Sequence, residues 1–479
     1  MHKLKIFFLG LSGIFSILYC RAQDTAAGIL TLQQSVDIAI KNNLQVQQSQ
    51  SQLDASKIGL NQSKENLLPF VGAQANQGIN FGRSINPYTN QYIDQQINTG
   101  NYGINTNLTL FSGLQLINGI RQNMYAYDAS KMDWQQQKDN ITLNVILAYL
   151  LVLSNRDLLD ISRAQADVDL KQVQRLEIQY REGAIAPSTL YDLRGQYAND
   201  LVNIVNNVNA LEASKVGLYQ LLNIPYNKNV QLENIAVPIN TPDTIRGNSD
   251  SIFQTALANL PLIKSADLRV KQYHKALQVA RGAFYPTLSF YGSVSTNYSS
   301  AAETNVQGPL VISTSQNEFV TVNGGDYYLN SKNDQYLQKI AFGDQFKNNR
   351  YTQIGFQLSI PILNYFKARN NVKFAKVNLQ NYEHLATATR NQLQQNVELA
   401  FQNMIASYGQ YKSYVDQVNA FQQSFRSAEI RFNAGAINSV DYVIAKNNYD
   451  RANINLSQAR YNYILRTKIL DYYQGRLTL

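Results

Sequence analysis

One cysteine, one tryptophan, four methionines and three histidines in 479 residues leave little material for redox centres, thiolate sites or metal sites. With Cys20 alone there is no disulfide framework, no cysteine-based zinc site and no dithiol chemistry. His274 and His384 are isolated in helical surroundings and read as solvated or packed positions rather than metal ligands. The chain has no glycine-rich phosphate loop, no His-Glu-x-x-His and no Gly-x-Ser-x-Gly. Its acids are scattered along helical segments, not paired as a glycoside hydrolase requires. No enzyme, metal or cofactor is expected. Charge is also sparse: 16% of residues are charged and the net value is +9, too mild over so large a surface to argue for nucleic acid. No apolar run approaches the roughly 20 residues of a spanning helix. The longest beyond the N-terminal segment, Val145 to Leu153, reads as a buried helix segment.

The first residues carry an export signal. Lys3 and Lys5 precede an apolar run from Ile6 to Tyr19, and Cys20-Arg21-Ala22 forms a small-x-Ala cleavage site. Cleavage after Ala22 removes Cys20 and three basic residues, leaving +6. Tyr19 stands where lipoprotein signals carry a small residue, which argues against lipidation of Cys20.

Proline is confined to ten positions, and these punctuate a duplication. Ala39-Ile40-Lys41-Asn42 leads to Leu67-Leu68-Pro69, and Ala256-Leu257-Ala258-Asn259 leads to Phe284-Tyr285-Pro286, at a constant offset of 217. Gly183-Ala184-Ile185 recurs as Gly435-Ala436-Ile437 at an offset of 252, so the second copy carries extra residues between its strands. The expected organisation is a signal peptide over 1–22, a first repeat over 23–224, a connector over 225–250 and a second repeat over 251–479. A repeat this long is a duplicated half-protein, not a solenoid unit.

From Gly113 to about Glu182 there is no proline, which predicts a helix of about 70 residues and roughly 105 Å. Its counterpart runs from Tyr365 to Phe432. Within it Val397, Phe401, Met404, Tyr408, Tyr411, Val415 and Val418 alternate steps of four and three, the seam of a coiled coil. The register of the first copy is less clean, with Arg156 and Arg163 on the equivalent stripe. Shorter helices are expected over Thr31 to Leu68, opened by the capping box Thr31-x-x-Gln34, and over Ser188 to Asn223, Ser251 to Tyr285 and Ser439 to Gln474.

Each half also predicts two strands with strict alternation. Tyr102, Ile104, Leu108 and Leu110 oppose Gly103, Asn105, Asn107 and Thr109, and Ile354, Phe356, Leu358 and Ile360 oppose Gln353, Gly355, Gln357 and Ser359. The leading strands place Val71, Ala73, Ala75, Ile79 and Phe81, and Leu288, Phe290 and Val294, on one face. Segments of about ten residues, apolar outside and polar inside, fit a bilayer-spanning barrel, while a soluble sandwich also alternates. Four strands cannot close a barrel, so the barrel reading requires an oligomer. Arg83 to Gly100 and Ser299 to Arg350 read as polar external loops, with Tyr102, Tyr298 and Tyr351 as anchors at the lipid boundary.

Capped helix, Leu-Pro or Tyr-Pro break, hairpin, Leu110-Phe111-Ser112-Gly113, long helix and Gly-turn, all in order and then repeated, resemble the TolC-like outer-membrane efflux protein family over residues 29 to 475. The resemblance implies a mostly α fold with membrane β. A homotrimer would form a 12-stranded β-barrel continuous with a long α-helical coiled-coil tunnel, set in outer-membrane lipid with a large periplasmic part. It implies a passive conduit, for efflux or type I secretion, that engages a periplasmic adaptor and an inner-membrane RND or ABC-type transporter. It assigns adaptor docking to Gly183, Ala184, Ile185, Gly435, Ala436 and Ile437, and the pore constriction to Asp441, Tyr180 and Phe432. The pattern is incomplete: Thr189 replaces the first-half acid, Ile444 a second acid and Ile437 a basic residue. Asp441 is then either a lone selectivity ring or a helix acid facing the dipole. The alternative function is a periplasmic coiled-coil adaptor or scaffold, against which the duplicated amphipathic hairpins argue.

Overall fold

The computed structural model describes residues 29–86, 89–236, 249–311, 319–328 and 332–476. The expected signal segment with Cys20, and Pro238 and Pro242 of the expected connector, lie outside the described residues. The first half runs β1 (Ile29–Leu30), α1 (Leu32–Asn42), α2 (Leu44–Glu65), β2 (Phe70–Asn80), β3 (Arg83–Ile85), β4 (Tyr92–Asp94), β5 (Ile97–Ser112), α3 (Gln115–Arg181) and α4 (Pro187–Leu222). After β6 (Gln231–Leu232) the second half runs α5 (Ser249–Asn259), α6 (Pro261–Gly282), β7 (Thr287–Ser299), β8 (Glu303–Val311), β9 (Phe319–Val322), β10 (Gly325–Tyr328), β11 (Lys332–Lys339), α7 (Phe342–Asn348), β12 (Tyr351–Ser359), α8 (Lys367–Asn433) and α9 (Ser439–Tyr473). The copies match in length as well as order. α1 and α5 have 11 residues each, α2 and α6 22, α3 and α8 67, and α4 and α9 36 and 35.

Two expected helices are each broken in two. The Thr31–Leu68 segment stops at Asn43, whose backbone is extended at φ −67 and ψ 127. The Ser251–Tyr285 segment stops at Leu260, extended at φ −66 and ψ 133. Leu260 precedes Pro261, and the proline ring pushes the residue before it out of the helical region. Asn43, 217 positions earlier, reaches the same conformation without a proline. Its Oδ1 accepts from the Gln45 amide at 2.9 Å and its Nδ2 donates to the Leu221 carbonyl at 3.1 Å, replacing the lost backbone bonds. The capping box forms as expected, with Thr31 and Gln34 exchanging two bonds of 3.1 Å.

The chain divides into two compact units, one of residues up to Gln47 with 137–256 and 396–479, the other of residues 48–136 and 257–395. In the first, one face of the apolar run of α3 is packed: Val145, Ile146, Tyr149, Leu150, Val152 and Leu153 are buried, while Leu147 and Leu151 are half exposed. α3 is the described helix whose length and apolarity would suit a membrane span, and its packed face accounts for part of that composition. On α8 Val397 and Met404 are fully buried, and Phe401, Tyr408, Tyr411, Val415 and Val418 are half-buried. The expected heptad seam is therefore the contact face. Tyr408 and Tyr411 lie 5.5 and 6.0 Å from the Tyr463 ring of α9. The arginine that disturbs the register of α3 has a partner in the connector, since Arg156 donates to the Leu232 carbonyl at 3.4 Å and to Asn234. That segment is held by the parallel pairing of β6 with β1 and by the Tyr149 hydroxyl, 2.8 Å from the Leu30 carbonyl and 3.0 Å from that of Glu233.

The second unit holds a four-stranded antiparallel sheet in the order β12-β7-β5-β2. Its register separates the residues as the alternation predicts. Ala73, Ile104 and Val294 are directly paired on one face, as are Leu108, Phe290 and Phe356. Gln74, Gly103 and Ser295, and Asn107, Tyr291 and Gly355, share the other. The apolar face is bare: Ile354, Phe356 and Leu358 are 70%, 68% and 61% exposed. A bulge between Thr109 and Phe111 skips Leu110, so that Phe111 pairs with Leu288.

The hairpin interiors are not plain polar loops. β3 pairs with β4, β8 with β11 and β9 with β10, and α7 packs against β7. β5 starts at Ile97, so Gly100 is a strand residue. Two of the three expected boundary tyrosines are covered, with Phe342 of α7 centred 6.0 Å from the Tyr102 ring and 5.1 Å from that of Tyr298. Tyr351 remains exposed.

Because Tyr149 is fully buried and its single O–H is shared between the Leu30 and Glu233 carbonyls, Tyr149→Phe removes a buried donor; Leu30 still accepts from the Glu233 amide at 3.2 Å, but the Glu233 carbonyl loses this partner. The expected cost is about 1 to 3 kcal/mol. A fall in the thermal midpoint of the detergent-solubilised protein checks it, and an unchanged midpoint would contradict it.

Candidate functional site

Two helix pairs end in nearly identical turns. Gly183 and Gly435 have φ of +74 and +73, where side chains with a Cβ are strained. Around Gly183 the Ala184 amide donates to the Gln179 carbonyl at 2.9 Å and the Gly183 amide to that of Tyr180 at 3.0 Å. Around Gly435 the same two bonds join Ala436 to Arg431 at 2.8 Å and Gly435 to Phe432 at 3.0 Å. This is the Schellman motif, which satisfies the last carbonyls of α3 and α8 without a polar side chain. Pro187 then opens α4, while Asn438 caps α9 through the Asp441 amide at 2.8 Å.

One apolar cluster joins both turns. Val173, Leu176, Leu190, Leu193 and Tyr442 form its buried centre, and Ile185, Phe432 and Ile437 pack on it. Phe432 stacks on Tyr442 at 4.7 Å and 23°. Polar links add to this: Ser439 Oγ donates to Asp192 at 2.8 Å, and Arg175 donates to the Asn433 carbonyl at 2.8 Å at the C-terminus of α8. Of the expected site residues, Ile185, Ile437 and Phe432 are thus brought together inside the cluster. Gly183, Ala184, Gly435, Ala436, Tyr180 and Asp441 are exposed. Asp441 lies in the first turn of α9, the place where a carboxylate complements the helix dipole.

Sequence reasoning missed a buried ionic cluster two turns further into the bundle. Lys446 is 1% exposed, with Nζ at 3.0 Å from Asp169, 3.1 Å from Asp200 and 2.8 Å from Asp450. Three helices supply it, α3 through Asp169, α4 through Asp200 and α9 through the other two. The signal was present in the sequence. Ser162, Ala166, Asp169, Val173 and Leu176 form one heptad stripe, Leu190, Leu193, Tyr197 and Asp200 a second, and Ser439, Tyr442 and Lys446 a third. Each stripe carries one charge at a core position, and the signs are complementary. Three acids against one lysine leave an excess of negative charge. Burial pushes the Asp169 carboxyl from 3.8 up to about 7, opposed by Lys446 and reinforced by Asp200. Burial likewise raises Asp450. Burial alone would lower Lys446, but Asp450 and Asp169 outweigh it and raise it.

A sequence profile described as outer membrane efflux protein matches residues 36–223 and 252–471. The chain belongs to the outer membrane efflux protein family. It is similar to the outer membrane protein TolC of Escherichia coli, 23% identical over 441 residues, which cover 88% of this chain and 78% of that one. Its fold is similar to that of the outer membrane protein VceC of Vibrio cholerae, with a TM-score of 0.73, 12% identity and coverage of 93% and 96%. A membrane protein from Pseudomonas aeruginosa gives a TM-score of 0.73 at 15% identity, covering 93% of this chain and 90% of that one. The efflux protein is therefore an outer-membrane channel of a tripartite efflux or type I secretion system. It is a conduit and not an enzyme, and it works with adaptor and inner-membrane pump proteins. Family membership sets aside the periplasmic adaptor as an alternative.

The ionic cluster gives the efflux protein a pH-dependent stability. Asp169 binds its proton more tightly folded than unfolded, so its contribution is full below about 4 and is lost as pH rises through about 7. Thermal midpoints should fall between pH 5 and pH 8, and Asp169→Asn should reduce that slope. An identical slope in the variant would contradict the assignment. Lys446→Met strands the acids and should cost about 3 to 5 kcal/mol.

Proposed function

We propose that the mature chain, 23–224 and 251–479 as two repeats about a 225–250 connector, forms a homotrimer in the outer membrane. Three sheets of four strands make a 12-stranded barrel, and the long helices of three copies line a periplasmic tunnel. The observation that carries this reading is the sheet itself, which has two unpaired edges, β2 and β12, beside an exposed apolar face. In hydrocarbon each unpaired backbone group costs several kcal/mol, and a soluble sandwich would cover such a face. Pairing β2 of one copy with β12 of the next satisfies both edges. The polar face carries Asn, Ser, Gln and Gly without a charge, which suits a water-filled lumen that passes varied cargo.

The Gly183–Ile185 and Gly435–Ile437 turns are the docking sites for a periplasmic adaptor, which couples the channel to an inner-membrane pump of the RND or ABC type. Their exposed surface is backbone and small side chains, while Ile185 and Ile437 anchor them from within. The constriction is formed by Asp441 and Tyr180, with Phe432 behind them holding the turn against Tyr442. Three copies of Asp441 around an axis would attract cations into the closed pore.

An added Cβ at Gly183 or Gly435 meets nothing within 4 Å, so only the backbone conformation forbids it. Gly183→Val and Gly435→Val should reshape the turns at about 1 to 2 kcal/mol of left-handed strain each. Export measured in cells should be lost while the outer-membrane oligomer still forms. Export that persists in both variants would place docking elsewhere.

A further inference from the structure

We propose that the apolar face of the sheet carries a binding site for one anionic, phosphate-bearing membrane lipid, built between α7 and strands β2, β5 and β7. The proposal rests on the reading of that face as the lipid side.

α7 is an unusual object to find there. It has seven residues and lies on β7, at the end of the sheet that bears the hairpin loops. Its attachment is specific: Gln345 is 1% exposed, donates to the Ser299 and Ile340 carbonyls at 3.0 and 2.8 Å and accepts from the Ser299 amide at 2.9 Å. Thr296 donates to the Phe346 carbonyl at 2.9 Å, and Asn349 to that of Asn297 at 2.8 Å. These bonds satisfy the polar groups of a short helix on a surface facing lipid, where water cannot. They also leave Phe342 and Phe346 48% and 47% exposed, over the Tyr102 ring.

Beside the helix is a groove of about 300 Å³. Ala73, Ile104 and Val294 form its floor, Tyr102 and Phe346 its walls, and Arg350 its lip. The volume is at the small end of ligand pockets and its apolar floor suits part of one acyl chain. Arg350 makes no ion pair among the described residues, although it is always charged. α7 carries Lys347 and Asp344, which cancel, so Arg350 leaves this segment net positive. A guanidinium at the boundary between an apolar groove and water matches a phosphate fixed to an acyl chain, which it can bind with two parallel hydrogen bonds. A zwitterionic lipid would leave that positive excess unbalanced.

The test uses the full channel in phosphatidylcholine nanodiscs containing a small fraction of diphosphoryl lipid A, read by native mass spectrometry. The wild type should retain lipid A in preference to phosphatidylcholine. Arg350→Gln should lower its retention about tenfold, what one charge-assisted pair contributes. Ala73→Phe, which fills the groove and keeps the arginine, should also lower it, while Lys376→Gln on α8 should not. The same spectra report the oligomer, so folding of each variant is read directly. Equal retention of the two lipids by the wild type, or retention unchanged in both groove variants, would overturn the proposal. A wild-type channel that fails to enter the nanodisc would overturn the lipid-side reading as well, whereas one that enters without lipid A overturns this site alone.

Discussion

The backbone groups along β2 and β12 constrain everything else in this chain. A sheet with one bare apolar face belongs in hydrocarbon, and hydrocarbon does not tolerate an open edge. The fold meets half of this demand internally. β5 of the first copy pairs with β7 of the second along thirteen registered positions, fusing two hairpins into one sheet and reducing four potential edges to two. The remaining two belong to different copies of the repeat, so one kind of subunit contact satisfies both. Duplication and oligomer closure are therefore answers to the same problem.

The two compact units solve their polar problems differently. In the sheet the polar face is neutral, so no ion pairs are needed. In the helical unit three packed stripes each carry one charge among apolar and small residues. A heptad interface of Leu, Val and Tyr tolerates many registers, whereas Lys446, paired with Asp450 on its own helix, meets Asp169 of α3 and Asp200 of α4 in only one. Such a cluster is a poor source of stability, since desolvation offsets most of its attraction, but a strong penalty on misregistered helices. At the turns beyond it, the Schellman bonds satisfy the last carbonyls of α3 and α8 from the backbone itself, so no side chain is needed to cap them.

Much of this was written in residue spacing. Absence of proline over Gly113–Glu182 gave α3 to within two residues at its start and one at its end, because little besides proline interrupts a well-packed long helix. The strict alternation through Ile354, Phe356 and Leu358 gave the lipid face because a pleat has only two sides. The breaks at Asn43 and Leu260 were not legible in the same way. Leu260 was announced by Pro261, but at Asn43 the helix ends through a side-chain bond to Leu221, a residue 178 positions away. α7 was hidden inside a polar stretch because its seven residues are too few for a periodic signal, and its anchorage by Gln345 depends on strand ends that meet only after folding. Leu110 was assigned by alternation alone, which has no means of registering a bulge. The ionic cluster was passed over because an isolated Asp or Lys in a helix ordinarily faces water; only the stripes of three helices read together show the charges at core positions.

Interchain pairing of the two edge strands is the claim on which the account stands, and cysteine cross-linking tests it most directly. Cys20 is the only native cysteine, so introduced pairs in a Cys20→Ser background report without interference. One cysteine is stepped along the polar face of β2 from Gly72 to Asn80 and another along that of β12 from Gln353 to Gln357, and membranes are oxidised before denaturing electrophoresis. Adjacent strands lie about 4.8 Å apart, within the Cα separation a disulfide requires. The account predicts at least one register giving covalent dimers and trimers and nothing larger. No interchain product in any register, or a ladder extending beyond three chains, would contradict it.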